Sequence, residues 1–182
     1  LRSIRIPQAF HSRQKAKSLS LTHLWPDGFF LPSNLSPLKY EIADGQVTIT
    51  YWDRAAEGEL KIPAEIEGAP VTNLSNGAFQ GCSSLSSILI PESVTSIGEE
   101  TFRECSSLSS INIPESVTSI GDGAFQGCSN LTSIIIPESV TSIETFAFFN
   151  CSSLTSIVIP QAFHSRSEAN RLKITHLWPD GF

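Results

Sequence analysis

A chain of 182 residues with 40% hydrophobic and 16% charged residues has enough apolar content to bury a core and too much to stay disordered throughout. Its net charge of −6 is uneven: +4 over residues 1–29, from five Lys/Arg and one acid, −11 over 30–153, from four and fifteen, and +1 over 154–182, from three and two. The acidic body lacks the basic stripe that nucleic acid demands, and apolar runs of a few residues, such as Ile134–Ile136, are too short for a membrane-spanning helix.

Residues 1–29 align without a gap to residues 154–182, with 21 of 29 positions identical at an offset of 153. Both stretches open on the pattern L-x-S-I-x-I-P and close on THLWPDGF. The first copy therefore reads as the last strand and cap of a preceding block. The start at Leu1 and the absence of Met make the sequence read as a slice of a longer protein, with any localisation signal outside it. Leu1, Ile4, Ile6, Phe10, Leu24 and Trp25 then need a surface, because each large apolar side chain left in water forfeits about 1.5–3 kcal/mol. The segment can fold back on this chain, dock on another molecule or stay disordered. Its charge favours docking on an acidic body, its own or a neighbour's, which makes residues 1–29 a route to self-association.

Residues 30–61 are expected to form a linker and an N-terminal β-hairpin cap. Tyr40–Ala43 and Gln46–Trp52 alternate around Asp44-Gly45, a dipeptide suited to a type I′ turn. Such a hairpin would cover the raw edge of a repeat array.

The array itself spans 62–160 and has a period of 23: Cys82, Cys105, Cys128 and Cys151 are spaced by that interval, as are Phe79, Phe102, Phe125 and Phe148 and Pro91, Pro114, Pro137 and Pro160. This period falls in the leucine-rich-repeat range. The pattern L-x-x-I-x-I, as in Leu108, Ile111 and Ile113, predicts a strand that points alternately inward and outward. The proline that follows ends it, having no N–H for the ladder. ESVTSIG then predicts a second short strand on the opposite side, with Val117 and Ile120 inward and Gly98 and Gly121 permitting a sharp turn. The first coil keeps Val71 and Leu74 in register with Val94 and Ile97 and carries five extra residues between Pro63 and Val71.

After Pro160 the repeat text stops, and residues 161–182 read as a C-terminal cap. Ser165 with Glu168 forms a capping-box pattern before a short helix containing Ala169, Leu172 and Lys173. Trp178 and Phe182 supply bulk to lay over the final coil.

The text I-P-x-S-V-T-S-I-G-x-x-A-F-x-G-C-x-x-L resembles the BspA-type leucine-rich repeats of bacterial and protist surface proteins. The hairpin stretch followed by LKIPAEIEGAPVTNLSNGAF is similar to the opening of such arrays. The resemblance implies a solenoid, β-rich with short helical turns, used for adhesion or for binding a protein or cell-surface ligand. It also implies a secreted or cell-surface location and no catalysis.

Four side-chain sets are candidates for chemistry. The cysteines stack at coil spacing with parallel side chains and without C-x-x-C pairs, so a buried thiol ladder is expected ahead of a disulfide or a metal. His11, His23, His164 and His176 lack a nucleophile motif and read as cap residues. Glu92, Glu115 and Glu138 form a carboxylate row, read as a solvated edge. Asn73, Asn130 and Asn150 stand in N-x-S/T triplets too short to carry a glycosylation reading. No cofactor is expected.

The outward strand positions, on the broad concave face of a solenoid, are the candidate binding surface: Leu89, Asn112, Ile135 and Val158, beside Ser87, Ser110, Ser133 and Ser156. An apolar stripe flanked by small hydroxyls resembles an interaction surface. Strand propensity alone would also place aliphatic residues there. The functional expectation is a non-catalytic binding or adhesion module, with a structural spacer or head-to-tail assembly unit as the alternative.

Overall fold

The computed structural model describes residues 38–177. Expectations for residues 1–29, for linker residues 30–37 and for Trp178 and Phe182 lie outside the described residues.

Two lines of strands run along a stack of coils, one on each side of a single core. The first line begins with β3 (Gly58–Lys61), β6 (Leu85–Leu89) and β8 (Ser110–Asn112) and continues with β10 (Ser133–Ile135) and β12 (Ser156–Val158). Each pair in it is parallel, with Leu60 opposite Ile88, Ile88 opposite Ile111 and Ile134 opposite Ile157. The ladder breaks between β8 and β10, which still lie side by side. The second line comprises β1 (Lys39–Ala43), β2 (Gln46–Tyr51), β5 (Ala69–Leu74), β7 (Ser96–Ile97), β9 (Ser119–Ile120) and β11 (Ser142–Ile143). Its register carries Leu74 onto Ile97, Ile97 onto Ile120 and Ile120 onto Ile143. A 23-residue coil thus brings each residue back beside its equivalent.

The reason is that every inward position is filled by the same kind of side chain. Leu85, Leu108, Leu131 and Leu154 are buried, as are Val94, Val117 and Val140 and the four array phenylalanines. The rings stack along the axis with centroids 5.3–5.6 Å apart from Phe79 to Phe148, and Trp52 extends the pile at 5.7 Å from Phe79. Burying each such side chain contributes about 1.5–3 kcal/mol. Between the two lines of strands, the chain turns at Pro-Glu-Ser-Val, where the N–H of Val94, Val117 or Val140 donates to the carbonyl of Pro91, Pro114 or Pro137.

Hydroxyl groups tie neighbouring coils together. Ser93, Ser116 and Ser139 donate to the carbonyls of Val71, Val94 and Val117 at 2.6–2.8 Å. Thr95, Thr118 and Thr141 donate likewise to Thr72, Thr95 and Thr118. The Thr hydroxyls share their carbonyl acceptors with the N–H groups of the same threonines, so each of these carbonyls accepts twice from the next coil.

The hairpin β1–β2 turns at Asp44 and Gly45 with φ of 52° and 73°, as a type I′ turn requires. It does more than cover an edge: β2 is itself the first inward strand of the second line, with Val47 opposite Val71 and both buried. The five extra residues before Val71 form a second small hairpin, β4 (Glu65–Ile66) against β5, turning at Glu67 and Gly68 with φ of 56° and 80°. Tyr40 links the two hairpins by donating to Glu67 Oε1 at 2.9 Å; burial and this carboxylate push its phenol pKa up to about 12.

At the far end, a 3-10 turn at Gln161–Phe163 leads into helix α1 (Arg166–Leu172) and a 3-10 turn at Thr175–Leu177. Phe163, Ala169, Leu172 and Ile174 are buried in this cap. Ser165 Oγ accepts from the Glu168 N–H at 3.2 Å, which is half of the expected capping box. The other half is absent because the Glu168 carboxylate pairs with Arg171. Arg171 also donates to the Ile143 carbonyl, and its own carbonyl accepts from the Phe146 N–H, which pins the helix to the last coil.

The glycine reading needs correction in its physics. Gly98 and Gly121 do not have positive φ; a Cβ on Gly121 would stand 2.5 Å from Glu99 N and 2.6 Å from Gly98 C, so close approach of coils demands these glycines. Left-handed backbone occurs elsewhere, in the columns Gly77, Glu100, Gly123, Phe146 and Gly81, Glu104, Gly127, Asn150.

Candidate functional surface

The outward positions of the first line of strands fall into two straight columns. Parallel register places Lys61 beside Leu89 and Leu89 beside Asn112, and further along Ile135 beside Val158. The second column runs Glu59, Ser87, Ser110 and then Ser133, Ser156. The backbone of these strands is held by buried neighbours on both sides, Ile88 and Ile90 in one coil and Ile134 and Ile136 in another, so the outward side chains are carried on a rigid support.

Leu89, Ile135 and Val158 are 41%, 66% and 54% exposed, and Asn112 is exposed between them. Ser110, Ser133 and Ser156 are exposed and Ser87 half-buried. A shallow hollow of about 300 Å³ lies at the Glu59 end, with Ile88 and Ile111 at its floor and Ser87, Leu89, Ser110 and Asn112 around it. The small hydroxyl column leaves this room beside the aliphatic one. In the neighbouring row the hydroxyls are engaged within the array: Ser109 and Thr155 donate to the carbonyls of Ser86 and Thr132 at 3.1 and 3.3 Å.

Glu59 and Lys61 belong to this surface and were missed by the sequence reading, which left residues up to 61 in the cap. Their signal is LKIP at Leu60–Pro63, the same apolar–x–apolar–Pro text as ILIP at Ile88–Pro91, displaced from the period by the small hairpin.

The cysteines and the two described histidines serve packing and the cap. All four cysteines are free and buried, and the thiols of Cys105, Cys128 and Cys151 donate to the carbonyls of Phe79, Phe102 and Phe125 at 3.1–3.2 Å. Burial pushes the Cys128 and Cys151 thiols up, Cys151 to about 12. His164 and His176 each place Nε2 against a backbone carbonyl, of Ile159 at 2.9 Å and of Leu154 at 3.2 Å, so both serve the cap; His11 and His23 lie outside the described residues. Glu92, Glu115 and Glu138 are exposed. Asn73 is half-buried and accepts from Ser96 at 2.8 Å, whereas Asn130 and Asn150 are exposed. Among the described residues no three His, Cys, Asp or Glu converge on a metal position, and no helix is long and apolar enough to cross a membrane.

The model for the BspA type leucine rich repeat region matches residues 66–170 in six copies, more than half of the chain. The chain belongs to this family. Among solved structures, this BspA-type array is similar to a leucine-rich repeat protein from Bacteroides capillosus, with 33% identity, a TM-score of 0.60, and coverage of 67% of this chain and 93% of that one. It is also similar to a leucine rich cell surface protein from Faecalibacterium prausnitzii, with 31% identity and a TM-score of 0.55 over 79% of this chain and 41% of the other. The chain thus spans less than half the length of that protein. The T. pallidum leucine-rich repeat protein TpLRR shares the fold at 20% identity and a TM-score of 0.56, over 81% and 97% of the two chains. No curated protein matches. The BspA-type repeat family is generally non-catalytic.

Proposed function

We propose that this protein is a non-catalytic recognition module of the adhesion type, binding a protein or cell-surface ligand through Ser87, Leu89, Ser110, Asn112, Ser133, Ile135, Ser156 and Val158. The observation that carries this reading is the row of exposed aliphatic side chains Leu89, Ile135 and Val158, with Asn112 after Leu89, on two short parallel ladders that lie side by side. Covering such side chains gives about 25 cal/mol per Å² of apolar surface, and a pre-ordered sheet loses little entropy on doing so. Glu59 and Lys61 at one end give polar selectivity. The acidic body supports a protein partner over nucleic acid. Similarity to the F. prausnitzii cell surface protein supports a cell-surface or secreted location.

The test is selection of a phage-displayed peptide library on the native chain. Peptides enriched on it should lose binding to the variant Leu89→Ser/Ile135→Ser/Val158→Ser and keep it for Glu92→Ser/Glu115→Ser/Glu138→Ser. Equal binding to the first variant, with the fold intact by circular dichroism, contradicts the assignment.

A further inference from the structure

We propose that the hollow at the Glu59 end of the outward strands receives an arginine side chain of the protein partner, its stem lying on Ile88 and Ile111 and its guanidinium meeting the Glu59 carboxylate. The assignment rests on the outward columns being the docking face, and it names what that face takes at one end.

Strand alternation makes the hollow. Along β3, β6 and β8 it turns Leu60, Ile88 and Ile111 inward and leaves Glu59, Ser87 and Ser110 outward in one column, with Leu89 and Asn112 in the next. Serine at two successive steps keeps that column short, so about 300 Å³ stays open above two isoleucines that are only 3% and 8% exposed. Such a volume stands at the lower end for ligand sites and suits one long side chain.

Hydrogen bonding decides which side chain. Elsewhere on the array the hydroxyls are spent, as where Ser109 donates to the Ser86 carbonyl and Ser116 to that of Val94. Around the hollow they are not: the Glu59 carboxylate, the Ser87 and Ser110 hydroxyls and the Asn112 amide have no hydrogen-bond or ion-pair partner among the described residues. Lys61 stands in the neighbouring column beside Leu89 and does not line the hollow, so it leaves the carboxylate to an incoming cation.

An apolar insert would cover these polar groups unpaired, which is costly. An acidic one would meet Glu59 and the −11 charge of residues 30–153. A guanidinium brings five N–H donors in one plane, enough to serve a carboxylate together with hydroxyl and amide oxygens, on a stem that lies along apolar surface. Lysine offers a more strongly hydrated point charge and cannot form the two-pronged bond to a carboxylate.

The peptides selected on the native chain are the probe. Those that lose binding to Leu89→Ser/Ile135→Ser/Val158→Ser are expected to share an arginine, and Glu59→Gln is expected to weaken them about tenfold. Changing that arginine to glutamine should weaken binding to the native chain equally and add nothing on Glu59→Gln, since both changes remove one contact. Glu59 is exposed, so its substitution spares the core; Glu57→Gln, exposed and outside the hollow, should bind as the native chain does. Column-dependent peptides without a common arginine, additive losses, full affinity for Glu59→Gln, an equal loss on Glu57→Gln, or a lysine that replaces the arginine at full affinity overturn the proposal and leave the docking face in place. Peptides indifferent to the column variant, or no enriched peptide, overturn the docking face and this proposal with it.

Discussion

The indole of Trp52 stacks on the ring of Phe79 with centroids 5.7 Å apart and planes inclined by 25°. Trp52 lies just past β2, outside the 23-residue text, yet it supplies the ring that a coil before Phe79 would have supplied. Trp52→Ala is expected to cost about 3–5 kcal/mol, because it opens a cavity at one end of a continuous aromatic pile. Urea denaturation of the variant checks this. A loss below 1 kcal/mol would show that the hairpin does not close the core.

Backbone shape separates the glycine columns. Gly121→Ala is expected to destabilise by about 1–3 kcal/mol, since its Cβ would collide with the backbone of the preceding coil. Gly127→Ala is expected to cost about 1–2 kcal/mol for a different reason, a φ of 74°. Glu104→Gly, in the same column at φ 59°, is expected to be neutral or stabilising. Thermal melts of the three variants distinguish close approach from left-handed strain.

Much of this was legible beforehand because the repeat is a physical instruction written four times. A period of 23 with Leu, Ile, Val and Phe at fixed offsets leaves no other way to bury them all than coil upon coil. The hairpin at Asp44-Gly45 and the helix after Ser165 were equally plain, since each rests on local backbone chemistry. What stayed hidden had its signal diluted. Glu100, Glu104, Phe146 and Asn150 stand where other coils have Gly, so the left-handed columns showed in only half of the copies. Lys61 and Glu59 escaped because the small hairpin at Glu67-Gly68 shifted β3 out of period. The roles of Ser93, Ser116 and Ser139 as donors between coils were invisible because a conserved-looking Ser in a turn has many local partners to choose from.

The thiol ladder gives a pH prediction. Cys128 and Cys151 have folded pKa values raised by burial above the unfolded value near 9, so their contribution is fully present below pH 9 and is lost as pH rises toward 12. Stability is therefore expected to fall between pH 9 and 11, and replacing both with Ala should flatten that slope. In the native state at pH 8 all four thiols are expected to resist a disulfide-exchange reagent, reacting only at the rate of unfolding. Rapid labelling of Cys128 in the native state would contradict the ladder.

The cap depends on few contacts. Ser165→Ala removes the acceptor for the Glu168 N–H and is expected to cost about 1 kcal/mol, with faster amide exchange confined to 166–172. Leu172→Ala is expected to cost about 2–5 kcal/mol and to loosen the 131–153 coil as well, because the helix is bonded to that coil at Ile143 and Phe146. Native-state hydrogen exchange resolves the two outcomes.

Recognition through the outward strand columns is the central claim, and hydrogen–deuterium exchange of the chain with and without a selected peptide tests it most directly. Peptide protection should concentrate in 85–89, 110–112, 133–135 and 156–158. Protection centred on the exposed Phe146 and Phe149 edge, or on the turns carrying Glu92, Glu115 and Glu138, would contradict it.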